Sequence, residues 1–255
     1  MTSILRLFAA ATAVLLASPL LPAAAQSVSP AQRTEIEAII KDYLIKNPEV
    51  LQEAYGELEK RQAAAEAEKH QSAVKEHATA LFNSKRQVVL GNPQGDVTMV
   101  EFFDYNCGYC KRALSDMLEM MKSDPKLRVV LKEFPVLGEG SVEAARVAVA
   151  ARMQDPTGKK YLDFHLKLLG NRGSVGRAQA LAAAKDAGFD MARLEKDMAG
   201  DEPKATIEET FKLADALGLS GTPSYVIGPQ VVIGAVGLAN LQEKVNAARC
   251  GKATC

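Results

Sequence analysis

The chain has 255 residues, and its 31 basic side chains balance its 31 acidic ones, which gives a formal net charge of zero. This balance gives no support to nucleic acid or an anionic membrane surface as a partner, because both attract strongly basic proteins. The sequence contains neither a Walker-type glycine loop nor a dinucleotide-binding fingerprint, so we expect no nucleotide cofactor. The length is sufficient for one core with an insertion, or for two small domains.

Residues 1–25 have the pattern of a cleavable secretory signal peptide. Arg6 is their only charged residue, the apolar run at 7–17 is too short to span a bilayer, and three alanines at 23–25 resemble a signal peptidase site. An uncleaved membrane anchor is the weaker interpretation, because two prolines interrupt the apolar stretch. We therefore expect the protein in the periplasm, an oxidising compartment in which cysteines are paired or cycle between redox states.

Residues 26–86 are predicted to form a helical arm. The pairs Ser-Pro at 29–30 and Asn-Pro at 47–48 are helix start signals, so we expect two helices. The second, over 48–82, would be about 52 Å long and carries only a thin apolar stripe, which is typical of a helix covered by another copy of the chain. We interpret the arm as an oligomerisation element, with a trimer favoured over a dimer. A solvated linker, or a helix folded back on the following domain, is the alternative, because Gly56 interrupts imperfect heptads.

The stretch 97–115 carries the clearest chemistry. Apolar, β-branched and aromatic residues at 97–105 predict a buried strand, which runs into Cys107-Gly-Tyr-Cys110, and helical spacing follows. A strand thus delivers a CxxC motif to a helix N-terminus, where unpaired N–H groups and the helix dipole stabilise a thiolate. We predict that Cys107 is the nucleophile. Cys110, one turn further along, is placed to attack a mixed disulfide on Cys107 and release the partner.

A CxxC motif can instead form half of a zinc site. A structural zinc ion needs four ligands, usually from a second CxxC or a histidine pair. The three histidines are scattered, and the other cysteines, Cys250 and Cys255, lie at the far end of the sequence. A redox pair is therefore favoured and no metal is expected. For Cys250 and Cys255 we favour a structural disulfide over a second redox pair or a metal hook, given the oxidising compartment.

The catalytic domain is predicted to cover residues 87–255 and to be of the α/β class. Strands at 97–105 and 127–136 flank the helix that follows the CxxC motif, which implies a parallel β-α-β unit with a right-handed crossover. Residues 141–217 contain about five segments with helical spacing and are interpreted as an insertion. Two short apolar runs then predict a hairpin at the sheet edge. Pro223 stands directly before the first run, where a cis bond can occur.

The FFDYNCGYC run, the helical insertion and the GTPSYVIG strand occur in an order that resembles the DsbA-like branch of thioredoxin-fold thiol-disulfide oxidoreductases. The resemblance covers roughly residues 87–248. It implies a thioredoxin fold in which Pro223 is cis beside the active disulfide and Thr222 offers backbone groups to a bound peptide. It also implies that Glu101 is buried under the disulfide and takes part in proton transfer, with an exposed strand carboxylate as the alternative. A carboxyl group buried without a partner should have a raised pKa.

One departure from the DsbA pattern is informative. The residues between the cysteines are Gly108 and Tyr109, whereas the strongly oxidising members carry Pro-His. Gly-Tyr, together with Thr222 before the proline, is similar to the DsbC type of disulfide isomerase. The arm is similar to that of the suppressor-of-copper-sensitivity proteins, which combine a DsbA-like domain with such an arm and act as isomerases.

These resemblances imply a disulfide isomerase. Its substrates would be misfolded or reduced exported proteins, and a membrane-bound dithiol reductant would keep its cysteines reduced. Two alternatives remain open at this point. One is a DsbA-like disulfide oxidase, and the other, from a different class, is a copper-tolerance protein that binds Cu(I) through the two thiols.

Overall fold

A computed structural model of the chain describes residues 28–255. The predicted signal peptide, at 1–25, lies outside the described residues. The chain divides into one unit that ends at Leu58 and a second unit that covers Glu59–Cys255. Within the described part of the chain, no helix is long and apolar enough to cross a membrane.

The first unit consists of helix α1, Pro30–Lys46, and the beginning of helix α2, Glu49–Glu76. The predicted start signal at 29–30 forms a capping box. The amide of Gln32 donates to the Ser29 hydroxyl at 3.3 Å, and the Ser29 amide donates back to the Gln32 side chain at 2.9 Å. No residue of α1 is buried.

The second unit is built on a five-stranded mixed sheet. Its strands are β1 Val88–Gly91, β2 Val97–Phe103, β3 Leu127–Glu133, β4 Ser224–Ile227 and β5 Gln230–Ile233. Their order in the sheet is β1-β3-β2-β4-β5. The parallel pair is β2 and β3, and the other neighbouring strands are antiparallel. The predicted β-α-β unit and the predicted hairpin are therefore both present.

The helices of the second unit, beyond the remainder of α2, include five that lie between β3 and β4 in the sequence. These five form the predicted helical insertion. The helices are α3 Ala78–Phe82, α4 Gly108–Ser123, α5 Glu139–Gln154, α6 Lys159–Leu169, α7 Arg177–Asp186, α8 Met191–Met198, α9 Glu202–Ala216 and α10 Leu238–Cys250.

Strand β2 separates two hydrophobic clusters, because successive side chains of a strand point to opposite faces of the sheet. Met99 and Phe103 contribute to a cluster with α4, α5, α6 and α10. Val100 and Phe102 contribute to a second cluster with α9 and α3. Glu101 falls between Met99 and Phe103, so its carboxyl group belongs to the face of the sheet that α4 covers.

The boundary between the two units differs from the predicted one after residue 86. Val74 and Leu81 are 5% and 0% exposed and pack in the same cluster as Phe102. The buried ammonium group of Lys132 donates to the carbonyl oxygen of Ala80 at 2.6 Å. The end of α2 and all of α3 therefore belong to the core of the second unit, as the alternative of a helix folded back on that domain requires.

The single helix predicted over 48–82 is also interrupted. α2 ends at Glu76, His77 separates the two helices, and α3 begins at Ala78. A thin apolar stripe can be covered by another copy or by the chain's own domain, and its sequence pattern is the same in both cases. The stripe is therefore divided: its C-terminal part is buried in the second unit, whereas its N-terminal part, at Leu51, Tyr55 and Leu58, is exposed.

Candidate active site

The turn between β2 and α4 places Cys107 at the N-cap of a 16-residue helix. Its backbone is extended, with φ −76° and ψ 114°, and its amide donates to the carbonyl oxygen of Asp104 at 3.0 Å. The Cys107 side chain makes no capping hydrogen bond. Its sulfur therefore stands at the helix end where N–H groups and the dipole favour negative charge.

The loop before β4 brings a second functional segment to Cys107. The Cys107 thiol donates to the carbonyl oxygen of Thr222, with 3.1 Å between sulfur and oxygen. The peptide bond between Thr222 and Pro223 is cis. Residues that are 115 positions apart in the sequence thus share one site, as the predicted grouping of Cys107, Thr222 and Pro223 requires.

Both cysteines of the motif are reduced, and they differ in their surroundings. Cys107 is 6% exposed and Cys110 is 0% exposed, whereas Tyr109 between them is 60% exposed. Burial raises the pKa of the Cys110 thiol, a hydrogen bond with the Asp104 backbone opposes this, and the charge of Glu101 adds to it. Cys110 therefore needs a base to take its proton before it can act as a nucleophile.

Glu101 is buried in the middle of β2, opposite Tyr225 of β4 and Leu131 of β3. Burial, with a smaller contribution from the negative charge of Asp116, raises the pKa of Glu101 to about 8. The Glu101 carboxyl group can thus hold a proton at neutral pH and release it slightly above. The negative charge of Glu101 also raises the pKa of the Cys110 thiol, so the protonation states of these two groups are coupled.

Asp104 is a residue of the site that the sequence analysis missed. It is 1% exposed. One carboxylate oxygen accepts from the Asn106 amide and the Ser141 hydroxyl, both at 2.7 Å. The other accepts from the amides of Val136 and Leu137, at 2.8 and 3.0 Å. The spacing Asp-x-Asn after a strand is a turn signal that could have drawn attention to this residue.

Asn106, also missed, ties the turn to the helical insertion. Its side-chain amide donates to the Ser141 hydroxyl at 3.0 Å and to the Val175 carbonyl at 2.8 Å, and its oxygen accepts from the Val175 amide at 2.7 Å. Lys111 of α4 donates to the carbonyl of Asn171 at 2.7 Å in the same loop. The insertion therefore holds the turn that carries Cys107.

A buried polar cluster lies beside this turn. The Tyr105 hydroxyl is 3.1 Å from the Tyr161 hydroxyl and 3.2 Å from Nδ1 of His165, and Tyr161 donates to Glu133 at 2.6 Å. Burial lowers the pKa of His165 to about 3 and raises that of Glu133 to about 8. His165 is thus a packed, neutral histidine that anchors Tyr105.

The second cysteine pair is remote from the CxxC motif. Cys250 and Cys255 are joined by a disulfide at the exposed end of α10. The adjacent Arg249 forms ion pairs of 2.8 Å with Asp96, just before β2, and with Asp124, just after α4. Both partners lie at the ends of these elements opposite to the CxxC turn. Among residues 28–255, no group of three or more His, Cys, Asp or Glu side chains is arranged to hold a metal ion.

Comparison with protein families gives two matches. The model of the DSBA-like thioredoxin domain matches residues 98–246, and the model of the copper resistance protein ScsC N-terminal domain matches residues 32–65. Together they cover parts of both units.

Several solved structures are similar to the chain. A thioredoxin-like oxidoreductase from Silicibacter pomeroyi DSS-3 is 45% identical with a TM-score of 0.63, and the match covers 67% of this chain and 96% of that one. Proteus mirabilis ScsC in a transitional conformation is 28% identical with a TM-score of 0.64, over 88% and 98%. The thiol-disulfide exchange protein alpha-DsbA2 from Wolbachia pipientis is 28% identical with a TM-score of 0.66, over 71% and 97%.

Among curated proteins, the Na(+)/H(+) antiporter NhaA 1 of Salinispora arenicola is 27% identical over 166 residues. This match covers 65% of the chain and 25% of the antiporter, so the chain spans about a quarter of the length of that relative.

Proposed function

The chain belongs to the DSBA-like thioredoxin domain family and is a thiol-disulfide oxidoreductase, and we propose that it acts as a disulfide isomerase in the periplasm. Its substrates are exported proteins with wrongly paired cysteines. The observation that carries the isomerase proposal is the exposed apolar face of the first unit, because it provides a means to join several catalytic units. This arm face comprises Ile36, Ile39, Ile40, Tyr43, Leu51, Tyr55 and Leu58. The signal pattern at 1–25 supports the proposed location.

The reaction begins with Cys107. Its thiolate attacks one sulfur of a client disulfide, so the client S–S bond breaks and a mixed disulfide with Cys107 forms. The freed client thiolate attacks another client disulfide, and the last thiolate in this exchange attacks the mixed disulfide and releases Cys107. The client then has new pairings, and no net electrons have been transferred.

Cys110 provides the exit from a stalled complex. Its thiolate attacks the Cys107 sulfur of the mixed disulfide, so the client leaves reduced and the enzyme holds a Cys107–Cys110 disulfide. A membrane-bound dithiol reductant then returns two electrons and two protons to the enzyme. Glu101 takes the Cys110 proton in this step, for which a carboxyl group with a pKa near neutrality is suited.

Thr222 and Pro223 bind the client beside the sulfur. The carbonyl of Thr222 lies 3.1 Å from the Cys107 sulfur, so a peptide that pairs with this backbone would present its own disulfide to Cys107. We assign binding and orientation to these two residues. Chemical steps are assigned only to Cys107, Cys110 and Glu101.

The arm face is a set of seven apolar side chains, each 46% to 62% exposed, on a unit in which α1 has no buried residue. Contiguous apolar surface of this kind is usually covered by a partner. The match of residues 32–65 to an ScsC N-terminal domain supports assembly through this face, and we favour a trimer over a dimer. Several catalytic units around one client raise the local thiol concentration.

The test is refolding of a scrambled multi-disulfide protein in a glutathione buffer, with the full mature chain and point variants of it. Ile39→Asp and Tyr43→Asp place charge on the arm face, and Lys41→Asp, on the other side of α1, is the matched control. We expect light scattering to show assembly for the wild type and the control, and refolding activity to be lost together with assembly.

The outcomes separate the alternatives. Equal refolding by dissociated variants would contradict the role of the arm. An intact chain that only oxidises reduced substrate would be a DsbA-like oxidase. Tight stoichiometric binding of Cu(I) without turnover would instead indicate a copper-tolerance protein that acts through Cys107 and Cys110.

A further inference from the structure

The carboxylate of Asp104 satisfies four hydrogen-bond donors from three parts of the chain. These donors are the amides of Asn106, Val136 and Leu137 and the hydroxyl of Ser141, at 2.7 to 3.0 Å. An amide in its place offers one acceptor oxygen and an NH₂ donor, so at least two of the four donors would lose their partner. The position thus requires a carboxylate and not only a polar side chain of similar size.

The backbone of Asp104 contacts both redox cysteines. Its carbonyl oxygen accepts from the Cys107 amide at 3.0 Å, and an interaction with its backbone lowers the pKa of the Cys110 thiol against the larger effect of burial. Asp104 is therefore the residue that holds the backbone of the Cys107 turn against the loop at 136–137. No other residue of the described site bonds both to the backbone of Cys107 and to the loop at 136–137.

The negative charge of Asp104 faces no cation at close range. Among residues 28–255, none of the ion pairs includes Asp104. Its charge acts on Glu133, another buried acid, whose pKa is raised chiefly by burial and further by Asp104. A negative charge in a buried position three residues before Cys107 works against a second negative charge on the sulfur.

We propose that Asp104 is a positioning residue that sets the redox equilibrium of the Cys107–Cys110 pair. Its four hydrogen bonds fix the turn, and its charge disfavours the thiolate and so destabilises the reduced pair relative to the disulfide. A pair shifted in this direction is a weaker oxidant, which suits an isomerase better than an oxidase. The inference rests on the proposed roles of Cys107 and Cys110.

The equilibrium is written with glutathione as the electron donor. The Cys107–Cys110 disulfide and two glutathione thiols give two protein thiols and one glutathione disulfide, so two electrons and two protons pass to the protein. Asp104→Asn removes the charge. We expect the equilibrium constant for this reduction to rise roughly tenfold, which corresponds to about 30 mV.

The experiment measures the reduced fraction of the full mature chain across a series of glutathione buffers, by alkylation and mass spectrometry. Asp155→Asn is the matched control, since Asp155 is 8% exposed and accepts from Thr157 and Tyr161 in a turn before α6. Ser141→Ala removes one donor and keeps the charge. We expect both variants to stay within about twofold of the wild-type constant, and Asp104→Glu to stay closer to the wild type than Asp104→Asn.

A second variant covers the case in which Asp104→Asn does not fold. Leu137 is 53% exposed and its amide donates to Asp104, so Leu137→Lys adds a compensating cation from an exposed position. It should shift the constant in the same direction as Asp104→Asn. An equilibrium constant equal to that of the wild type, in Leu137→Lys or in a folded Asp104→Asn, would overturn the role of Asp104. A wild type that reaches no redox equilibrium with glutathione would instead overturn the proposed function.

Discussion

The sulfur of Cys107 lies 3.1 Å from the carbonyl oxygen of Thr222. The proposed nucleophile thus faces the backbone that leads into β4, while Cys110 is buried one helical turn away. A client held along residue 222 would approach Cys107 and not Cys110. We therefore expect the two sulfur atoms to have different roles, so that a variant of each fails at a different step.

Cys110→Ser should trap clients. The variant keeps the Cys107 thiolate but loses the thiol that resolves a stalled mixed disulfide. We expect covalent client complexes on non-reducing gels to increase at least several-fold, and dithiothreitol to release them.

Cys107→Ser is the paired control. It leaves only the buried Cys110 thiol, so neither complexes nor refolding activity should appear. Abundant complexes with Cys107→Ser would show that Cys110 is the attacking residue and would contradict the assignment.

Glu101→Gln should stabilise the folded protein near neutral pH. Burial raises the pKa of Glu101 from 4.5 to about 8, so between these pH values the folded state holds a proton that the unfolded state has lost. The contribution of Glu101 to the free energy of unfolding therefore falls as pH rises, by up to about 1.4 kcal/mol per pH unit. We expect the variant to gain about 2 to 3 kcal/mol at pH 7 and little at pH 4.5.

Urea unfolding of the reduced wild type and variant at pH 5, 6 and 7 gives this difference. Comparing the two chains is necessary because other buried groups also titrate. Glu133, with a pKa of about 8, contributes in the same direction, whereas His165, with a pKa of about 3, makes stability rise from pH 3 to about 6.5. A difference that does not change with pH would mean that Glu101 is ionised in the folded protein.

The turn that carries the site could be predicted because its signals are local. A run of strand-forming residues, two cysteines and helical spacing follow one another within 19 positions, at 97–115. The predicted strand was two residues too long, since β2 ends at Phe103 and Asp104 begins the turn through its bond to Asn106. The five-helix insertion could be predicted for the same reason, because each helix has its own apolar spacing and its own breaker.

The partners of Asp104 could not be predicted from the sequence. Val136 and Ser141 follow it by 32 and 37 positions and meet it only because β3 lies beside β2. The C-terminal end of the arm could not be predicted for the same reason, because it is set by tertiary contacts. Val74 and Leu81 have the spacing of an oligomerisation stripe, and only the packed structure shows them against Phe102.

Leu137→Ser should weaken the reaction with proteins and spare the reaction with small disulfides. The Leu137 side chain is 53% exposed, and its amide is held by Asp104 beside the turn of Cys107. An unfolded client offers apolar segments that this side chain can contact. Loss of most of that contact should lower kcat/KM for a scrambled protein roughly threefold to tenfold.

Reaction of the same variant with a small aromatic disulfide is the internal control, because such a substrate reports on the Cys107 sulfur alone. Phe211→Ser is the second control. Phe211 is 41% exposed on α9 and contacts Phe134, on the face of the sheet away from α4. Equal losses with both substrates would place the effect of Leu137 on the thiol and not on client binding.

Leu81→Ala and Leu51→Ala should separate folding from assembly. Leu81 is fully buried in the second unit, so its truncation leaves a cavity and should cost about 2 to 5 kcal/mol of the free energy of unfolding. Leu51 is 55% exposed on the arm face, so its truncation should leave the unfolding of the second unit unchanged and weaken self-association. Urea unfolding and analytical ultracentrifugation measure the two effects. If Leu81→Ala instead dissociates the assembly without loss of stability, residues 74–82 belong to the interface between copies, as the long predicted arm would require.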